Sequence, residues 1–142
     1  MKNVRIKITG NQEIDGNSDT IQFIGDGTLK KTDDGFLIEY TEGELAGMDK
    51  TETQLRLYGG HSAELKRKGG VNSELKITEG KRNSCYYSSS VGGFMMGIYG
   101  ESVSYEFDGN KGEIRLCYNI DSNMNPISKN DVKISVRELK GK

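Results

Sequence analysis

The chain has 142 residues, with 20 basic and 21 acidic side chains, a formal net charge of −1, and only 33% hydrophobic residues. That composition is lean for a packed helical protein but suits sheets in which every second residue meets water. The charges are interspersed without a basic stripe for nucleic acid, no apolar run approaches the ~18 residues of a membrane helix, and the one histidine has no neighbouring cysteine with which to build a zinc site.

Alternation with a period of two runs through the chain. Val4, Ile6 and Ile8 alternate with Arg5, Lys7 and Thr9, which makes the opening a strand and not the apolar core of a signal peptide. Ile21, Phe23 and Leu29 share a face with Gly25 and Gly27, predicting a long strand that bends at the glycines. Asp33, Asp34 and Gly35 form a hairpin turn before Phe36, Ile38 and Tyr40. Residues 42–49 hold at most a turn. Leu55 and Leu57 continue the face of Thr51 and Thr53, and Gly59-Gly60 predicts a two-residue hairpin loop.

The return strand carries Ala63 and Leu65 on one side and Ser62, Glu64 and Lys66 on the other. Gly69-Gly70 turns the chain again, Ser73, Leu75 and Ile77 form the next face, and Glu79-Gly80 ends it. Residues 83–90 are polar but rich in β-formers. Residues 94–107 are long and interrupted by Gly97 and Gly100, so a bulge or break is expected there. Ile114, Leu116, Tyr118 and Ile120 alternate cleanly; a polar loop around residues 123–129 holds the only proline, Pro126; Val132, Ile134 and Val136 close the chain.

No segment has the spacing of an amphipathic helix. The expectation is one all-β domain over residues 1–142, an antiparallel and mostly up-and-down β-barrel of about eight to ten strands, since closure removes exposed edges.

Three segments carry a resemblance: the opening VRIKITG, the EYTE of residues 39–42 and the LKRKGG of residues 65–70. In that order they resemble the YwiB-like family of small bacterial proteins of unknown function. Tyr87 and Ser89 ahead of Gly92 stand where the family has a tyrosine, a threonine and a glycine; the serine keeps the hydroxyl. The resemblance implies a calycin-like barrel related to lipocalins. It implies no activity and carries no functional residues.

Among single residues, two charges interrupt apolar faces. Alternation sets Arg67 beside Ala63 and Leu65, and Glu42 beside Phe36, Ile38 and Tyr40. Inside a barrel each would need a partner, and each could be the other's; at strand ends both would reach solvent, which is the preferred reading. Seven tyrosines supply most of the aromatic volume. Most are expected to pack, but a ring with a hydroxyl also suits a pocket for an amphipathic molecule. Tyr40, Glu42, Arg67, Tyr87 and Tyr118 are therefore the candidate ligand-binding residues of the interior. His61 reads as a surface turn residue, and the serines at 88–90 lack a nucleophile-elbow setting. No catalytic residue, metal site or cofactor is assigned. Cys85 and Cys117 read as free thiols of a cytoplasmic protein.

Three functions fit: a non-enzymatic barrel holding a small apolar or amphipathic ligand; a packed barrel acting as a partner-binding module or homodimer; and, least favoured, an enzyme using Glu42, Arg67 and tyrosine hydroxyls. Neither nucleic acid nor membrane is expected as a partner. Interior volume separates the readings.

Overall fold

Wherever the sequence alternates, a strand forms. The ten strands are β1 (Lys2–Ile14), β2 (Asn17–Lys31), β3 (Gly35–Glu42), β4 (Thr51–Tyr58), β5 (Ser62–Gly69), β6 (Val71–Thr78), β7 (Arg82–Ser89), β8 (Gly92–Asp108), β9 (Lys111–Ser122) and β10 (Asn125–Glu138). The structure is a computed structural model that describes residues 2–42, 51–89, 92–108 and 110–139. Each strand pairs antiparallel with its neighbours in sequence, and β1 closes on β10. The architecture is the expected all-β, up-and-down barrel. Among the described residues no helix is long and apolar enough to cross a membrane. The two cysteines are unbridged, Cys85 buried and Cys117 half-buried.

The turns follow local chemistry. Asp15 and Gly16 both take positive φ, as a two-residue hairpin between Ile14 and Asn17 requires. Two turn expectations need correction. Gly59-Gly60 is not a two-residue loop, because register pairs Tyr58 with Ser62 and His61 joins the loop. Residues 125–129 are not loop but the start of β10, where the register shifts between Pro126 and Ser128. The bulge tolerates a proline that a regular ladder would reject. Residues 43–49, expected to hold at most a turn, lie outside the described residues.

The interruption expected in β8 is a bulge between Gly100 and Ser102, facing Tyr118 and Cys117 of β9. It inserts Glu101 and switches the inward parity of the strand. Met96 and Ile98 before it, and Val103 after it, are all buried. Without the extra residue, Val103, Tyr105 and Phe107 would turn to solvent.

Inward side chains pack in rows that follow the register. Leu29, Ile38, Leu55, Leu65 and Leu75 form one such row across β2 to β6. A parallel row holds Gly27, Tyr40, Thr53, Arg67, Ser73, Tyr87 and Phe94. Gly27 is needed in it: a Cβ there would lie 2.2 Å from the Glu39 carbonyl oxygen and 2.7 Å from Ile6.

The two ends of the barrel differ. At the end carrying the β2–β3 and β8–β9 connections, Phe36 stacks on Phe107 with centroids 4.1 Å apart. Tyr105 meets Phe36 edge-on at 6.0 Å, and its hydroxyl accepts a hydrogen bond from the Gly60 amide at 3.3 Å. These rings plug that end. The opposite end carries the β1–β2, β5–β6 and β9–β10 turns.

A cavity inside the barrel

Inside the barrel, above the aromatic plug, lies a cavity of about 330 Å³. Grooves of about 540, 680 and 650 Å³ on the outer wall are larger but more open and lined mainly by outward charged and polar strand residues. The interior cavity is the more enclosed and apolar, which is what small-molecule sites require.

Its lining is graded along the barrel axis. Tyr40, Arg67 and Tyr87 each stand two residues before the unplugged ends of their strands, at Glu42, Gly69 and Ser89. Gln12, Tyr118 and Asn130 also lie toward that end of β1, β9 and β10. Deeper in, the lining is Ile8, Leu55, Leu65, Leu75, Leu116 and Ile134. A polar collar thus surrounds the mouth, and an apolar floor lies beneath it.

Four of the five candidate residues meet here. Tyr40 is buried, its ring 5.5 Å from that of Phe23. Tyr87 is half-buried, with its ring 5.5 Å from that of Phe94. Tyr118 comes from β9 and Arg67 from β5, and both line the cavity: burial pushes the Tyr118 phenol up, and the Arg67 charge opposes that shift. Arg67 is half-buried and stands in register between buried Thr53 and buried Ser73. It is not a free charge, and neither Tyr40 nor Thr53 is without a polar or ring contact. The fifth candidate, Glu42, pairs in register with Thr51, but its side chain lies outside the described residues.

Sequence reasoning missed three collar residues. Gln12, Phe23 and Asn130 all line the cavity. The Asn130 amide donates to the Tyr118 carbonyl at 3.4 Å and to the Ser128 hydroxyl at 3.1 Å, tying β10 to β9 beside the cavity. Alternation with Val132 and Ile134 marks Asn130 as inward, and the same parity marks Gln12 with Ile6 and Ile8. These are uncharged side chains on inward faces, a weaker signal than an arginine.

One part of the wall is irregularly paired. β6 and β7 share only three register pairs, from Val71–Ser89 to Ser73–Tyr87. Beyond them the regular ladder stops, and the Asn83 side-chain amide donates to the Lys76 carbonyl at 3.2 Å. Burial in this seam pushes the Cys85 thiol up. The seam is braced from β8: the Val103 amide donates to the Glu79 carboxylate at 3.1 Å. His61 stands exposed in its turn, 3.6 Å from Glu79. Among the described residues, no group of three or more histidine, cysteine, aspartate or glutamate side chains comes together as metal ligands.

The family whose sequence pattern matches residues 6–134 is described as a domain of unknown function (DUF1934). The chain is also similar in fold to the ywiB protein from Bacillus subtilis, with a TM-score of 0.85 over 98% of this chain and 93% of that one. Identity between the two is 19%, so the likeness carries the fold alone. No curated protein matches the chain.

Proposed function

The chain belongs to the DUF1934 family of domains of unknown function, and from that premise we propose that it is a non-enzymatic barrel that holds one small amphipathic molecule in its interior. The observation that carries this reading is the graded lining: a collar of Tyr40, Arg67, Tyr87 and Tyr118 above a floor of aliphatic side chains. A filled barrel has no reason to collect its polar inward residues at one end. An amphipathic guest does, because its tail removes apolar surface from water while its polar end stays at the mouth. The volume of about 330 Å³ lies at the small end of known ligand sites. Glu42, at the mouth end of β3, belongs to the same proposed site.

The test is titration with a neutral fluorescent probe, N-phenyl-1-naphthylamine. Saturable binding of one probe per barrel, lost when Leu65→Trp fills the floor, supports the reading. No saturable binding up to millimolar probe, in a protein shown to be folded, sinks it.

A second reading, a partner-binding or self-associating barrel, rests on exposed apolar side chains. Ile14, Ile21, Phe94 and Met124 are each more than two-fifths exposed near the mouth, and clustered exposed apolar surface marks interaction sites. Native mass spectrometry separates the two, since it reports bound small molecules and subunit number in one spectrum.

A further inference from the structure

We infer that the guest is a carboxylate, a medium-length aliphatic acid seated tail-down with its acid group at Arg67; this rests on the interior-binding reading above. Among the described residues that line the cavity, Arg67 is the only one with a charge. The other polar side chains of that lining are phenols and amides. Arg67 is therefore the one cationic group that the described lining offers to an anionic head group, and low-dielectric walls strengthen such an attraction.

The geometry favours a carboxylate over other head groups. A guanidinium offers five N–H donors in a planar fork, so a partner already at Arg67 does not exhaust it. The fork matches the two oxygens of one carboxylate. Tyr118 lines the same lumen as Arg67, and its phenol is an O–H donor for a second bond to the same anion. A cationic amphiphile would find tyrosine faces here, but it would also meet the Arg67 charge in a confined space. A neutral alcohol would leave the fork unused.

Size sets the length. A volume of about 330 Å³ is on the order of eleven waters at ~30 Å³ each. A methylene is close to a water in bulk, so the floor and collar together take an acid of roughly ten carbons.

Displacement of bound N-phenyl-1-naphthylamine by decanoate, 1-decanol and decylammonium at pH 7.5 tests the head group. Decanoate is expected to displace the probe at concentrations at least tenfold lower than decylammonium, and Arg67→Met to abolish that preference. Carboxylates of rising chain length should bind more tightly up to about ten carbons and then level off. Because Arg67→Met risks the fold, a second measurement uses the unaltered protein. The carboxyl carbon of ¹³C-labelled decanoate is titrated by NMR in the bound state. Next to a guanidinium the acid titrates below its free value, whereas a merely buried acid titrates above it. A bound midpoint at or above the free value, or equal displacement by decanoate and decylammonium, overturns the inference while leaving interior binding standing. Absence of any saturable probe site overturns both.

Discussion

The guanidinium of Arg82 on β7 grips the carboxylate of Asp121 on β9, with Nη2 donating at 2.6 Å and Nε at 2.9 Å. It crosses the intervening strand flat over Gly97, where an added Cβ would lie 2.2 Å from Nη2. The clamp therefore holds three strands with one pair. It matters because β7 grips β6 through only three register pairs, and β7 carries Tyr87 into the collar. Gly97→Ala should lift the arginine off the carboxylate. The direct loss is that of the Arg82–Asp121 pair. In an Arg82→Met background the same alanine should be neutral or stabilising, since glycine weakens a strand. Urea unfolding of the four proteins should give a coupling above ~0.5 kcal/mol; additive effects would mean that the clamp does not lie over Gly97.

Acid should weaken the barrel through two carboxylates. The hydrogen bonds from Arg82 hold Asp121 below the ordinary aspartate range, and those from Arg115, at 2.8 and 3.2 Å, do the same for Asp131. A carboxyl depressed in the folded state stabilises it above the unfolded value of about 3.9, and that contribution is lost as pH falls through the lower folded value. The unfolding free energy of the protein should therefore drop more steeply below about pH 4 than that of a variant carrying Asp121→Asn and Asp131→Asn. Parallel curves for the two proteins would contradict this.

The plug and the mouth should be separable. Phe36→Ala removes the ring stacked on Phe107 and met edge-on by Tyr105. For a half-buried phenylalanine the cost is expected at about 3 kcal/mol, the low end for phenylalanine truncation. Because the ring closes the far end, probe affinity at the mouth should change less than twofold. A large loss of probe binding in a folded Phe36→Ala protein would place the site at the wrong end.

Which features were legible in the sequence follows from the range of the physics behind them. Strand parity is local, so Arg67 beside Ala63 and Leu65, or Tyr118 between Leu116 and Ile120, can be assigned an inward face from a few residues. The bulge near Gly100 was legible as an interruption for the same reason. That Glu101 is the inserted residue depends on pairing with β9, which the strand's own sequence does not contain. The plug is less local still: Phe36 and Phe107 lie on strands that are not neighbours and meet only when the barrel closes. Nothing in either strand says which end of the lumen is shut. Ile21 shows the converse limit. Its parity is inward and it lines the cavity, but it stands near the tip of a long hairpin and is 62% exposed.

The last prediction concerns Glu42 and Arg67, the two charges that interrupt apolar faces in the sequence. Register puts Glu42 opposite Thr51, two residues beyond Tyr40 toward the mouth, and puts Arg67 opposite Thr53. The two charges are thus brought to the same end of the barrel on β3 and β5, with β4 between them. If they share a desolvated site, removing one strands the other, a cost typically of ~3–5 kcal/mol. If both are bathed in solvent, each change costs at most ~1 kcal/mol. A double-mutant cycle with Glu42→Gln and Arg67→Met, read by urea unfolding, is expected to show coupling well above ~0.5 kcal/mol. Ligand binding gives an independent measure of the same pair. A guanidinium shared with Glu42 has to divide its donors between that carboxylate and a bound acid, so Glu42→Gln should tighten decanoate several-fold while leaving 1-decanol unchanged. Additive unfolding energies with unchanged decanoate affinity would show that Glu42 takes no part in the collar, and would leave Arg67 as the lone charge that any guest of the lumen meets.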